Sequence, residues 1–234
     1  MPNISISANI PALEIGINAK SRANLDLIHL NSANLFVQYA LSIEIEYCPS
    51  QNPPQEAINS YMSFVSSSII CSIAALEAKI NQFLVDNQAK IDEMKIENNS
   101  AILKHYPSVF NPEAPIVKQL LSLSNALIKY NVVFYLLKSK FLPDNKFYKV
   151  INFEIKVRNA LIHFSPEWDN ELITNKKLED KYFNHFSNDF CLSKFYNKDE
   201  FFIPYRCLSA SHAEWVYKNS NDFMNKFFSS ITSS

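Results

Sequence analysis

Glycine is almost missing from this chain: of 234 residues, only Gly16 is one. Ordinary proteins carry about 7%, and the shortage excludes several kinds of function at once. A glycine-rich phosphate loop, a dinucleotide fingerprint and a nucleophile elbow all need glycine where the backbone turns sharply or approaches a ligand. Tight hairpins, which lean on residues tolerant of positive φ, are disfavoured for the same reason. The expected protein is therefore mostly helical. Arginine is scarce too: Arg22, Arg158 and Arg206 are the only three among 22 basic residues. The others are lysines, which act as solvated point charges rather than bidentate forks, so each arginine is a stronger candidate for a specific partner. The net charge of −1 and a pI near 6.5 provide no broad field to gather nucleic acid or anionic lipid. Any contact with RNA has to be local. Cys48, Cys71, Cys191 and Cys207 stand far apart, with no Cys-x-x-Cys spacing and no histidine at ligand distance from any pair. That pattern argues against zinc and against a disulfide framework. The N-terminus shows no basic region leading into an apolar one, and no uninterrupted apolar run reaches about 18 residues. The expectation is a soluble, cytoplasmic protein with no metal, no cofactor and no membrane partner.

What is present suits one good core. Hydrophobic residues make up 47% and charged residues 19%, and no composition break divides the chain. The reading is an N-terminal extension with a first helix over residues 1–50, then one continuous helical bundle over 51–234. Within the extension, Ile4, Ile6, Ile10, Leu13, Ile15 and Ile17 partly alternate and suit an arm or short strand. Helix is expected over about 21–47, over 55–97 (Ile70, Ile73, Ile80 and Leu84 at three- and four-residue intervals), over 116–141, over 145–164 and over 208–228. On the long second helix Ser67, Cys71, Ala74 and Ala78 form a stripe of small residues, and Glu77 interrupts the apolar stripe beside it. A carboxylate placed there needs a partner or a proton. Residues 167–205 are an irregular, aromatic-rich insert before the last helix, and the terminal Ser-Ser-Ile-Thr-Ser-Ser reads as a frayed tail.

One segment carries chemistry: Arg158-Asn159-Ala160-Leu161-Ile162-His163, followed by Phe164-Ser165-Pro166. The spacing from arginine to histidine is uninformative, because Arg22 with His29 and Arg206 with His212 satisfy it as well. What sets the middle copy apart is Asn159. It lies four residues before His163 and so shares its helix face, while Pro166 places the histidine in the last turn. A helix end whose carbonyls favour a cation suits an imidazole that must carry a proton. The same residues also read structurally, with Arg158 paired to Glu77 and His163 covering terminal carbonyls. His29, His105, His185 and His212 read as surface or packing residues.

The stretch Val157–Trp168, taken with Ala74-Ala75-Leu76-Glu77-Ala78-Lys79-Ile80-Asn81 on the long helix, resembles the HEPN superfamily of small helical domains, many of them ribonucleases. The resemblance covers roughly residues 55–228; residues 1–50 and 98–115 lie outside it, and the insert at 167–205 is larger than in the compact members. It implies an all-α antiparallel bundle of HEPN type. It also implies a site made by Arg158, Asn159 and His163 with help from Glu77, and RNA as substrate. The partners it implies are a second copy of the chain in a homodimer and, in a toxin or antiphage setting, an antitoxin protein. A non-catalytic nucleotide- or RNA-binding or dimerisation module is the alternative it leaves open.

Overall fold

The computed structural model describes residues 24–48, 52–94, 111, 114–137, 146–163, 179, 186, 188–197 and 200–232. Every regular element among them is helical: α1 (Leu25–Tyr47), α2 (Gln55–Asp86), α3 (Gln88–Asp92), α4 (Ile116–Ser122), α5 (Ala126–Leu136), α6 (Lys146–Ile162) and α7 (Ala210–Thr232). A helical turn at Phe202–Arg206, which contains a cis Ile203–Pro204 peptide, leads into α7. No strand occurs among the described residues, and the chain is all-α. The arm expected over residues 1–19 and most of the insert at 167–205 fall outside the described residues.

The second helix organises the rest, and each of the other helices packs against it. Its buried positions include Tyr61, Val65, Ile69, Ile73, Leu76, Ile80 and Leu84, the three- and four-residue rhythm of one helix face. By length and composition α2 is the one helix among the described residues apolar enough to cross a membrane, which the expectation of no such run did not anticipate. In this fold it is the central helix of the bundle. Its closest companion is α1, where Ala33 and Ala40 are fully buried, as are Ser68 and Ser72 on α2. The Ser68 hydroxyl donates to the Ala33 carbonyl at 2.9 Å, a contact that needs small side chains on both helices. The buried small residues thus lie one position beyond the expected stripe, and Ser67, Cys71, Ala74 and Ala78 are only half-buried.

Tyr61 joins three helices through one phenol. Its hydroxyl donates to Glu44 Oε2 on α1 at 2.9 Å and accepts the Ala210 N–H, one of the donors a helix start leaves unpaired, at 2.8 Å. Burial and the Glu44 carboxylate push its pKa well above the ordinary phenol range. At the same start the Ser209 hydroxyl accepts from His212 N–H at 2.9 Å as an N-cap. Along α7 the expected core positions Ala213, Val216, Phe223 and Phe227 are all buried.

Three boundaries differ from expectation. The helix expected over 116–141 divides into α4 and α5, because Leu123 turns extended and the Asn125 side chain caps Leu127 N–H at 2.9 Å. The long helix ends at Asp86, where Asn87 N–H and the Asn87 side-chain amide both bond the Phe83 carbonyl. The expected frayed tail continues α7 to Thr232, where Phe228 packs on Phe83 with ring centroids 5.4 Å apart and the Ser230 hydroxyl returns to the Phe227 carbonyl.

Candidate functional site

Helix α6 positions the motif. Val150, Ile151, Phe153, Glu154, Ile155 and Val157 form its buried side, and this anchoring fixes where its last turn points. There Arg158 is half-buried, Asn159 and His163 are exposed, and the His163 N–H donates to the Asn159 carbonyl at 2.9 Å. The amide and the imidazole therefore lie one turn apart on the accessible face, as their spacing requires. Arg158 is half-buried, and its Nε is buried with no hydrogen-bond partner among the described residues. A half-buried guanidinium can engage a phosphate or carboxylate only through the nitrogens that stay accessible, not through this buried Nε. Among the described residues no three histidine, cysteine or acidic side chains cluster in a way that would hold a metal ion.

Glu77, the fourth expected site residue, has a different neighbour from the one anticipated. It does not pair with Arg158; its Oε1 lies 3.6 Å from Lys129 Nζ, which also donates to Asn81 Oδ1 at 2.8 Å. Lys129 is buried, 1% exposed, while Glu77 is half-exposed. Burial draws the lysine pKa below its ordinary value and Glu77 offsets part of that. The carboxylate in the apolar stripe is thus explained by a buried ammonium on α5. Glu77→Gln is expected to cost about 1–3 kcal/mol of folding stability, because it leaves that buried ammonium with neutral acceptors only and no counter-charge. Urea unfolding measures this. A variant that keeps wild-type stability would remove the structural account of Glu77.

His212, read from the sequence as a surface or packing residue, and Glu154, not singled out from the sequence, form a fully buried polar pair in the described bundle. Glu154 on α6 and His212 on α7 are both fully buried, and His212 Nε2 lies 3.1 Å from Glu154 Oε1. The other imidazole nitrogen, Nδ1, is 2.7 Å from the Cys207 carbonyl. A carbonyl only accepts, so Nδ1 carries a hydrogen and the second proton of the pair lies between Nε2 and the carboxyl. The ring stacks on Phe190, centroids 4.2 Å apart and planes within 16°. Burial is the main reason the Glu154 pKa rises, and His212 pulls it back in part. Its second oxygen, Oε2, is buried without a partner among the described residues. Glu154 precedes Arg158 by four residues, so the two lie on adjacent turns of one helix face. The sequence signal was a carboxylate three and four residues from Val150, Ile151 and Val157, on the apolar face of α6.

Arg206, the other described arginine, forks onto Glu179: Nη1 to Oε2 at 3.2 Å and Nη2 to Oε1 at 2.9 Å. That arginine is committed to a structural pair, which leaves Arg158 as the arginine with a buried nitrogen unpaired among the described residues. All four cysteines are free thiols, and burial pushes Cys207 well above the usual thiol range. No protein-family model matches the chain, and comparison with curated proteins and with solved structures returned no match.

Proposed function

We propose that this chain is a HEPN-type endoribonuclease that cuts single-stranded RNA without a metal, acts as a homodimer in the cytoplasm, and serves as a toxin or antiphage effector held in check by an antitoxin protein. The observation that carries the reading is the last turn of α6. An exposed amide and imidazole share one face there, beside the half-buried Arg158.

The chemistry follows from those groups. RNA cleaves when its own 2′-oxygen attacks the adjacent phosphorus and the bond to the 5′-oxygen breaks, leaving a 2′,3′-cyclic phosphate and a 5′-hydroxyl. The step needs a base for the 2′-OH proton, an acid for the departing oxygen, and positive charge near the non-bridging oxygens. In the proposed site Arg158 holds the phosphate, Asn159 orients phosphate or imidazole, and His163 moves a proton. One imidazole supplies one transfer, so a second copy of the motif in the same cleft completes the pair. Glu77 stays outside the mechanism, as the partner of Lys129.

Purified protein incubated with single-stranded RNA in EDTA is expected to yield fragments ending in 2′,3′-cyclic phosphate. Retained RNA with no cleavage would instead support a binding module working through Arg158, a reading that the commitment of Glu77 to Lys129 favours.

A further inference from the structure

The helix α1 buries one side and leaves a second apolar side standing out from the bundle. Leu30, Ala33, Val37 and Ala40 face the core. Almost opposite, Leu25, Ile28, Leu35 and Tyr39 are each 47% to 52% exposed. With Ser32 and Ser42 these residues recur at intervals of three, four, three, four and three. That is the a/d rhythm of a coiled-coil seam, carried on a helix whose other side is already packed.

We infer that this seam pairs with the same seam of a second copy, antiparallel, about a two-fold axis passing between Ser32 and Leu35. Antiparallel helices set each a position against a d position of the partner. Leu25 then meets Ser42, Ile28 meets Tyr39, and Ser32 meets Leu35, with each relation repeated by symmetry. Both serines face a leucine, so large side chains fill the space that small ones leave. The parallel alternative sets Ser32 against Ser32 and Ser42 against Ser42, leaving two layers underfilled. Two internal contacts prepare the face for burial. The Ser42 hydroxyl already donates to the Tyr39 carbonyl at 2.8 Å, and the Tyr39 ring leans on Phe64 of α2 with centroids 5.1 Å apart.

Charge selects a second copy over a charged partner. From Leu27 to Ile43 the helix carries no lysine, arginine, aspartate or glutamate, and the exposed flank beside the seam presents the amides Asn31 and Gln38. A face that pairs with itself brings any charge near its own kind, so an uncharged seam suits self-association. The overlap from Leu25 to Ser42 is roughly 26 Å long at the α-helical rise. At half exposure the four large side chains offer on the order of 400 Å² per copy, against ~800 Å² in a standard interface. The association is therefore weak enough to be followed by dilution. It stands whether or not the α6 site cuts RNA.

The test is sedimentation equilibrium of the full chain up to about 100 µM. Wild type is expected to approach twice 26.9 kDa, and Leu35→Glu to associate about a hundredfold more weakly, since two carboxylates then meet near the axis. At concentrations low enough for both proteins to be monomeric, the thermal melt of Leu35→Glu should match the wild-type value, because the side chain is half-exposed and outside the core. Under oxidation, peptide mapping of Leu25→Cys with Ser42→Cys should find a bond between positions 25 and 42 of different copies. A monomeric wild type, or a dimer indifferent to Leu35→Glu, overturns the proposal. So does a bond from position 25 to position 25, or a dimer that forms only after residues 1–23 are removed.

Discussion

His212→Ala is expected to remove about 3–5 kcal/mol of folding stability, a large share of the roughly 5–15 kcal/mol that holds a domain together. Three losses combine. The Cys207 carbonyl keeps the Ser209 N–H but loses the imidazole donor, Glu154 Oε1 loses its only described partner, and the ring stacked on Phe190 leaves a cavity. Among the described residues Glu154 Oε2 is already without a partner, so the substitution leaves a fully buried carboxyl with neither oxygen bonded to them. Glu154→Gln is the contrasting case. Its amide fills the same space and donates to Nε2, reproducing the neutral form of the pair, so its cost should stay within about 1 kcal/mol. Urea unfolding of the two variants against wild type measures both, and an alanine variant as stable as the glutamine variant would contradict the account.

The same pair gives a pH dependence whose sign is fixed by the direction of the shift. Glu154 titrates above its ordinary value of 4.5 in the fold, chiefly because burial penalises the carboxylate. Below that value both folded and unfolded chains hold the proton, and the group adds no pH dependence. As pH rises above about 4.5 the unfolded chain releases its proton first, while the folded chain keeps it. Stability therefore falls through the window up to the folded pKa and then levels off. Glu154→Gln lacks this slope, so the gap between variant and wild type should move in the variant's favour as pH rises from 4.5.

The main helices were legible because their apolar positions repeat with the α-helical period. Ile73, Ile80 and Leu84 on α2, and Ala213, Val216, Phe223 and Phe227 on α7, are buried as that period requires. Periodicity failed where two answers satisfied it. On α2 the sets Ser67, Cys71, Ala74, Ala78 and Ser68, Ser72, Ala75 are both small and equally spaced. Only the approach of Ala33 on α1 decides which is covered. The break before α5 was hidden because Leu120, Leu123 and Leu127 keep helical spacing through it, while the Asn125 cap acts on one N–H. Polar pairing was the least legible. The sequence shows that Glu77 needs a partner, but Lys129 approaches it from a separate helix. Likewise Glu154 and His212, 58 residues apart, meet only when α6 and α7 pack. Of the candidate site, the shared face of Asn159 and His163 was readable, since a four-residue separation is a local property of one helix. The burial of the Arg158 Nε was not, because it depends on the neighbours of α6.

His163→Ala is expected to lower RNA cleavage by about a hundredfold to ten-thousandfold, the usual worth of a positioned proton-transfer group. The fold should not register the change, because His163 is exposed at the end of α6. Circular dichroism and the melting temperature therefore separate chemistry from stability. Arg158→Lys makes the complementary case: it keeps the charge but gives up the planar fork. If the arginine holds the phosphate through two nitrogens, lysine should weaken RNA binding and cleavage together, whereas alanine at His163 should reduce kcat and leave KM nearly unchanged. The two variants thus assign two roles within one turn and a half of helix. Cleavage surviving undiminished in His163→Ala would remove the nuclease reading from α6, while unchanged cleavage in Arg158→Lys would reduce the arginine to a point charge. Asn159→Ala lies between them, because an orienting amide acts on the geometry of its neighbours. Its loss should fall disproportionately on kcat, by the same logic that makes small misplacements of reacting groups costly.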